Sequence, residues 1–344
     1  MVDVTVYGAG IFGLSVAWSC VKRGAKVQVI DPNGVAAGSS GGIVGALAPH
    51  TPENWNDKKE FQFQSLITAE DYWAEVAEVS GQSPGYARSG RLQPIPDQRA
   101  HDLAFKRQKG AAELWRGKAS WDIKPAADFE GWCPNSPTEF VIHDTLSARI
   151  HPRQACTALA AALKAKGVEI KSEGAPKGHI VWATGWRGLL ELSKEIERPI
   201  GNGVKGQAIL LEFDRADLPQ LFADALHVIP HADGTVAIGS TSERDFEDPY
   251  ATDAQLDEVY QRAVDAVPAL RNAPILARWA GVRPRAKSRA PMLGNHPTRA
   301  GDFIANGGFK IGFGMAPKAG EVMADLILEN HDEIPEGFRP EASI

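Results

Sequence analysis

Apolar residues fall on alternate positions from Val2 to Tyr7, reading VDVTVY, and this period of two predicts a short strand. Leu14 to Arg23 changes to helical spacing and stops at Gly24, and Lys26–Ile30 returns to a strand that ends in Asp31. Ile180–Gly185, IVWATG, reads as a buried strand closing in a small turn. Gln207–Phe213, His227–Pro230 and Thr235–Gly239 read as short strands, with Ala232-Asp233-Gly234 as a hairpin turn. A helical run, Ala319–Leu328, finishes the pattern. Strand, helix, strand at the start and a run of short strands later predict an α/β chain with a second, mainly antiparallel part.

A length of 344 residues accommodates two packed domains. The net charge of −6, without a lysine or arginine run, argues against a nucleic-acid partner. Basic residues gather between Arg278 and Arg289, where a substrate anion could use them. Cys20, Cys133 and Cys156 have neither a CxxC pair nor metal-ligand spacing, so reduced thiols and no metal site are expected. Gly8, Gly10 and Gly13 interrupt the first apolar run and no basic segment precedes it, which argues against a signal peptide or membrane span. A cytoplasmic location is expected.

Gly8-Ala9-Gly10-Ile11-Phe12-Gly13 sits between the first strand and the first helix. Gly8 permits the tight turn, Gly10 lets the backbone approach a pyrophosphate, and Gly13 lets helix and strand pack closely. The helix start offers free N–H groups and partial positive charge to phosphates. Asp31, eighteen residues after Gly13, is placed to accept hydrogen bonds from ribose hydroxyls and disfavours a 2′-phosphate, hence NADP. Taken alone, the motif does not separate FAD from NAD.

Three further segments point to a flavin. Residues 36–49 are small and glycine-rich, with Ser39 and Ser40 for phosphates and Val44, Gly45 and Ala46 thin enough to lie against a flat ring. The ATG strand end at 183–185 is the second segment. The third combines Gly281-Val282-Arg283-Pro284 with the closing run from Phe303 to Pro317. In the order and spacing of these motifs the chain resembles the D-amino-acid oxidase, glycine oxidase and sarcosine oxidase superfamily over nearly its whole length.

That resemblance implies a Rossmann-type FAD-binding domain (1–50, 140–205 and 275–330) interleaved with an antiparallel-sheet substrate domain (51–139 and 206–274). It implies FAD contacts at Ile11, Phe12, Asp31, Pro32, Ser39, Ser40 and Val44–Ala46. It also implies a wrap of Gly308, Phe309, Lys310, Ile311, Gly312, Phe313 and Gly314 around the pyrimidine end. Only Lys171 to His179 separates Gly167–Ile170 from the ATG strand, shorter than in relatives, with Ala175 or Pro176 expected near the adenine. Sarcosine oxidases attach flavin through a cysteine soon after the position of Arg283; residues 285–299 hold none, so non-covalent FAD is expected.

The implied reaction removes a hydride from a carbon next to nitrogen in a small amine or amino acid and delivers it to flavin N5, with O2 as acceptor. Such chemistry needs orientation and charge complementarity more than acid–base groups. Arg283 is expected to fork onto a substrate carboxylate, since its planar donors match both oxygens. Lys310 matches a carboxylate-binding lysine of sarcosine oxidases. His227 falls near a carboxylate-binding tyrosine of glycine oxidases, Ser242 where they line the pocket with methionine, and His50 just after the flavin loop. With two cations and a histidine, an N-carboxyalkyl amino acid or acidic D-amino acid fits better than glycine. A dehydrogenase using an electron carrier and a non-catalytic or partner flavoprotein subunit stay open, as does assembly into a homo-oligomer.

Overall fold

A computed structural model describes all residues from 1 to 344. Val27–Ile30 is buried on both faces, as a strand flanked by parallel neighbours must be. It and Val4–Tyr7 lie inside a six-stranded sheet in the order Met292–Asn295, Phe303–Asn306, His179–Trp182, Val4–Tyr7, Val27–Ile30 and Glu169–Lys171. All neighbours pair in parallel except the edge strand Met292–Asn295. The first helix, Ile11–Lys22, is buried through its first ten residues. It packs with Gly312–Glu329 and Pro152–Ala165, and Asp57–Ser80 packs on both of those in the main core.

The second sheet has eight strands in the order Ile275–Ala286, Gly201–Glu212, Thr235–Gly239, Leu226–Pro230, Gln220–Ala223, Arg91–Pro94, Phe140–Asp144 and Trp121–Pro125. It is antiparallel except between Gln220–Ala223 and Arg91–Pro94. Two of its strands, Phe140–Asp144 and Ile275–Ala286, fall inside ranges expected for the nucleotide domain. The reason is hydrogen bonding: Ile275–Ala286 pairs with Gly201–Glu212 along nearly its whole length.

The predicted elements form with shifted ends. The hairpin turn at 232–234 has Gly234 at φ +80° and Asp233 capping Thr235. The strand expected from Gln207 begins earlier, at Gly201. The last helix begins at Gly312, so Pro317 lies inside it. Helical bonding already runs from Met315 N–H to the Ile311 carbonyl, so proline at 317 leaves the Phe313 carbonyl without its helical donor. No helix is long and apolar enough to cross a membrane.

Candidate active site

A cavity of about 810 Å³ is lined by both sheets. That is in the range of about 300–1,000 Å³ usual for cofactor and ligand sites. Gly8, Gly10, Ile11, Phe12, Asp31, Pro32, Ser39, Ser40, Val44, Gly45, Ala46, Gly308, Phe309, Lys310, Gly312 and Phe313 all line it, as do His227 and Arg283.

The first turn obeys the steric rules that its sequence implied. Gly8 has φ +109°, and a Cβ there would fall 2.3 Å from the Ala183 carbonyl oxygen. A Cβ on Gly13 would fall 2.0 Å from the Gly8 oxygen, so Gly13 serves helix–strand packing and does not face the cavity. Asp31 accepts the Ala9 N–H at 2.8 Å and the Asn33 N–H at 2.9 Å, one on each carboxylate oxygen. Each oxygen keeps lone-pair capacity for a further donor. Ser40 Oγ accepts the Ile11 N–H at 3.0 Å, which leaves its own O–H free to donate.

Three helices begin at the cavity: Ile11, Gly185 and Gly312 are first residues of helices and line it. Their unpaired N–H groups and positive dipole ends suit a pyrophosphate and an electron-rich ring. The backbone N–H groups of Ile43, Val44 and Gly45 have no acceptor within the protein. With the glycine rim, these features fit FAD.

At the other end, the strands carrying Phe222, His227, Gly239 and Arg283 bring side chains from the eight-stranded sheet to the cavity. Arg283 lies across Gly206, where a Cβ would be 1.9 Å from Nη2. Its Nη1 donates to Ser240 Oγ at 2.9 Å, and Nη2 donates to the carbonyls of Lys205 at 3.2 Å and Thr241 at 2.7 Å. Nε–H has no partner. The fork expected to face a carboxylate is therefore partly turned onto backbone oxygens, leaving Nε–H and one Nη1 hydrogen. Burial lowers the Arg283 pKa to about 10, opposed by the charge of Glu243. Glu243 is itself paired with Lys205 at 3.6 Å and takes hydrogen bonds from Gln207 and Thr241.

Phe309 occupies the left-handed region at φ +44°. Its ring centroid lies 5.8 Å from Arg283 Cζ, 5.6 Å from Arg285 Cζ and 5.8 Å from Lys310 Nζ. One aromatic face region thus gathers three cations. Lys310 has no acidic partner; burial and then Arg283 lower its pKa. His227 faces Phe222 at 4.7 Å between ring centroids, and its Nδ1 has no partner. Burial, then Arg91 and Lys310, push its pKa down to about 3, so it is neutral at physiological pH.

Besides Gly13, five expected site residues lie off the cavity. His50 is bonded to Gln62 through both its backbone N–H, at 2.7 Å, and its Nδ1, and lines no part of the site. Ala175 spends its carbonyl on Gln28 at 2.9 Å. Ile311 packs against the main core, and Gly314 turns toward Leu47 and Leu66. Ser242 is not in the lining either; Ser240 is. Phe222, Tyr250 and Trp279 line the cavity and no motif marked them, because strand pairing and loop packing bring them in from distant segments; Trp186, also in the lining, directly follows the ATG turn.

Fold and site together define a dinucleotide-binding α/β oxidoreductase with its ligand cavity between two sheets. The chain belongs to the DAO family of FAD-dependent oxidoreductases, whose model matches residues 3–326, and its cofactor is FAD. It is 26% identical to glycine oxidase of Pseudomonas putida over 99% of both chains. It is 25% identical to the bifunctional protein ThiO/ThiG of Trichormus variabilis, of whose length it spans 53%. Among solved structures, glycine oxidase of Geobacillus kaustophilus superposes at TM-score 0.84 with 20% identity, covering 98% of this chain and 97% of that one. Iminodiacetate oxidase of a Chelativorans species superposes at TM-score 0.84 with 21% identity, covering 98% of this chain and 99% of that one. At those identities the likeness of the structures is one of fold.

Proposed function

We propose that the protein oxidises the C–N bond of a small amino acid or secondary amine that carries two acidic groups, with O2 as acceptor and FAD held without a covalent bond. The observation that carries this reading is the pair Arg283 and Lys310, cations in one cavity end with no free carboxylate facing them. The only acidic lining residues, Asp31 and Glu191, belong to the nucleotide-binding segments. Unpaired cations in a partly desolvated site favour anionic ligands.

FAD, when bound in this cavity, would supply the hydride acceptor, with dioxygen as the final oxidant. The residues of the chain prepare the substrate. With both Nη2 hydrogens held by carbonyls, Arg283 offers its charge and the single donor Nε–H to one carboxylate, and Lys310 offers its ammonium to the second. The same two charges disfavour an ammonium between them, so the amine binds neutral and its lone pair stays available as the α-hydrogen leaves. His227, neutral, adds an acceptor or donor without a third charge. Loss of the hydride leaves an imine, which water hydrolyses to an oxo acid and the released amine. None of the three thiols lines the cavity, in keeping with dissociable FAD.

The test is anaerobic reduction of the purified yellow protein by glycine, sarcosine, acidic D-amino acids and iminodiacids, followed by admission of air. Faster bleaching by the dicarboxylates, with one hydrogen peroxide per turnover, is expected. Equal rates for monocarboxylates would refute the second anion site. Reoxidation only by a quinone or carrier protein would replace the oxidase with a dehydrogenase.

A further inference from the structure

We propose that His231 is a positioning residue for the flavin-facing segment 41–46, and that it acts through the Ile43 carbonyl. This rests on the reading of the cavity as the FAD site. Every second carbonyl of the segment is tied back. The carbonyls of Gly41, Ile43 and Gly45 are all held by protein: Gly41 by Arg153 at 3.1 Å, Ile43 by His231 Nε2 at 2.8 Å, and Gly45 by the Ile150 N–H at 2.9 Å. Gly42, Val44, Gly45 and Ala46 line the cavity.

His231 is the only one of the three clamps that comes from the eight-stranded sheet side of the cavity. It follows the strand Leu226–Pro230 and opens the hairpin turn, where its N–H donates to Thr235 at 2.8 Å. The carbonyl of Ile43 can only accept, so Nε2 carries the proton and Nδ1 holds a bare lone pair. That Nδ1 is buried without a partner. A buried polar atom left unpaired costs stability, and its neighbour on the same ring does the useful work. The ring is fixed by His151, 4.6 Å away between centroids, which caps the helix Pro152–Ala165. Asp233 also faces the pair. The Ile43 side chain is buried with Ala208, Ile229 and Ala237, so side chain and carbonyl of one residue both lock onto the second sheet.

The consequence is directional. With the Ile43 carbonyl tied back, the unpartnered N–H groups of Ile43, Val44 and Gly45 keep fixed directions beside the ring system. Without the tie, the segment keeps its Arg153 and Ile150 anchors and loses its aim between them.

Three variants test this. His231→Leu removes the donor, His231→Gln keeps an amide N–H at a similar reach, and His231→Asn carries the amide one carbon short. Each is measured for FAD dissociation constant, position of the flavin visible band and thermal midpoint of the apoprotein. His231→Leu is expected to raise the FAD dissociation constant about tenfold and shift the visible band, with Gln restoring most of both. Should the Leu chain fail to fold, the Gln and Asn variants carry the same comparison. Equal values for Gln and Asn, or wild-type FAD binding in all variants, overturn the proposal. A wild-type chain that takes up no FAD overturns the reading beneath it as well.

Discussion

The two ends of the cavity are built by different physics. At the nucleotide end, backbone does the binding: glycines with no room for a Cβ, three helix starts and a row of free N–H groups. At the other end, side chains form the lining: Arg283 across Gly206 and His227 against Phe222 come from strands, and Lys310 beside Phe309 comes from the turn before the last helix. A site made of backbone fails when space is taken away. A site made of side chains fails one charge at a time. The two ends should therefore separate under mutation, with cofactor retention tracking the first and substrate turnover the second.

The largest effect is expected at Gly8. Gly8→Ala places a Cβ 2.3 Å from the Ala183 oxygen at φ +109°, and strain with overpacking should cost more than about 3 kcal/mol. Flavin content and thermal midpoint measured together should both collapse; an Ala variant that is yellow at the wild-type midpoint breaks the backbone account.

Arg283→Ala comes next. Truncating one member of a buried charge pair costs about 2–5 kcal/mol, or about 30-fold to several-thousand-fold in kcat/KM on a carboxylate substrate. Arg283→Lys should recover part, because the charge stays and the planar donors go. FAD content is expected to persist, but the apoprotein should lose some stability, since the Lys205 and Thr241 carbonyls also lose their donor. Wild-type efficiency in the Ala variant removes Arg283 from the site.

Lys310→Met should be selective. A charge-assisted contact of about 1.5–3 kcal/mol corresponds to about 10- to 100-fold on dicarboxylates, with little change on monocarboxylates. A uniform loss on both would mean that a single carboxylate bridges Arg283 and Lys310. At the nucleotide end Asp31→Ala should weaken FAD about tenfold without unfolding the chain, read as a dissociation constant. An unchanged constant would take Asp31 out of the ribose site.

The last effect is read in stability and is spread over several pH units. His227 and His231 have folded pKa values of about 3 and about 4 against an ordinary 6.5, burial being the main cause in both. Below pH 6.5 the unfolded chain binds protons that the folded chain refuses. Stability therefore holds above about 6.5 and falls as pH drops toward those folded values, by up to about 1.4 kcal/mol per pH unit for each group. His227→Phe should flatten acid denaturation between about pH 6 and 4; an unchanged slope would mean that the ring is already charged in the native protein.

The contrast also explains what was readable in sequence. Gly8, Gly10, Gly13 and Asp31 act through local geometry within one βαβ unit, so their spacing announces their roles. Arg283 and Lys310 were legible through the residues beside them, GVRP and GGFK. His50 was not, since proximity to the flavin loop in sequence says nothing about Gln62, which binds it. Phe222, Tyr250 and Trp279 reach the cavity through strand pairing and a loop, and no short motif encodes that. His231 left only a histidine at a hairpin, and its meaning lies in a partner 188 residues away.

The ribbon formed by Gly201–Glu212 and Ile275–Ala286 has a further consequence. Near its start, Gly203 packs on Trp186 of a nucleotide-side helix; farther along, the same ribbon is part of the second sheet. A doubly bonded ladder of this length resists hinge motion, so the two halves should not open like a clamshell to admit substrate. Exchange of small molecules then falls to side chains and loops at the rim, where Tyr250 is 55% exposed and lines the cavity. Amide hydrogen exchange should find the ribbon among the slowest segments and residues 244–252 among the fastest, with turnover limited by the loop and not by the sheets.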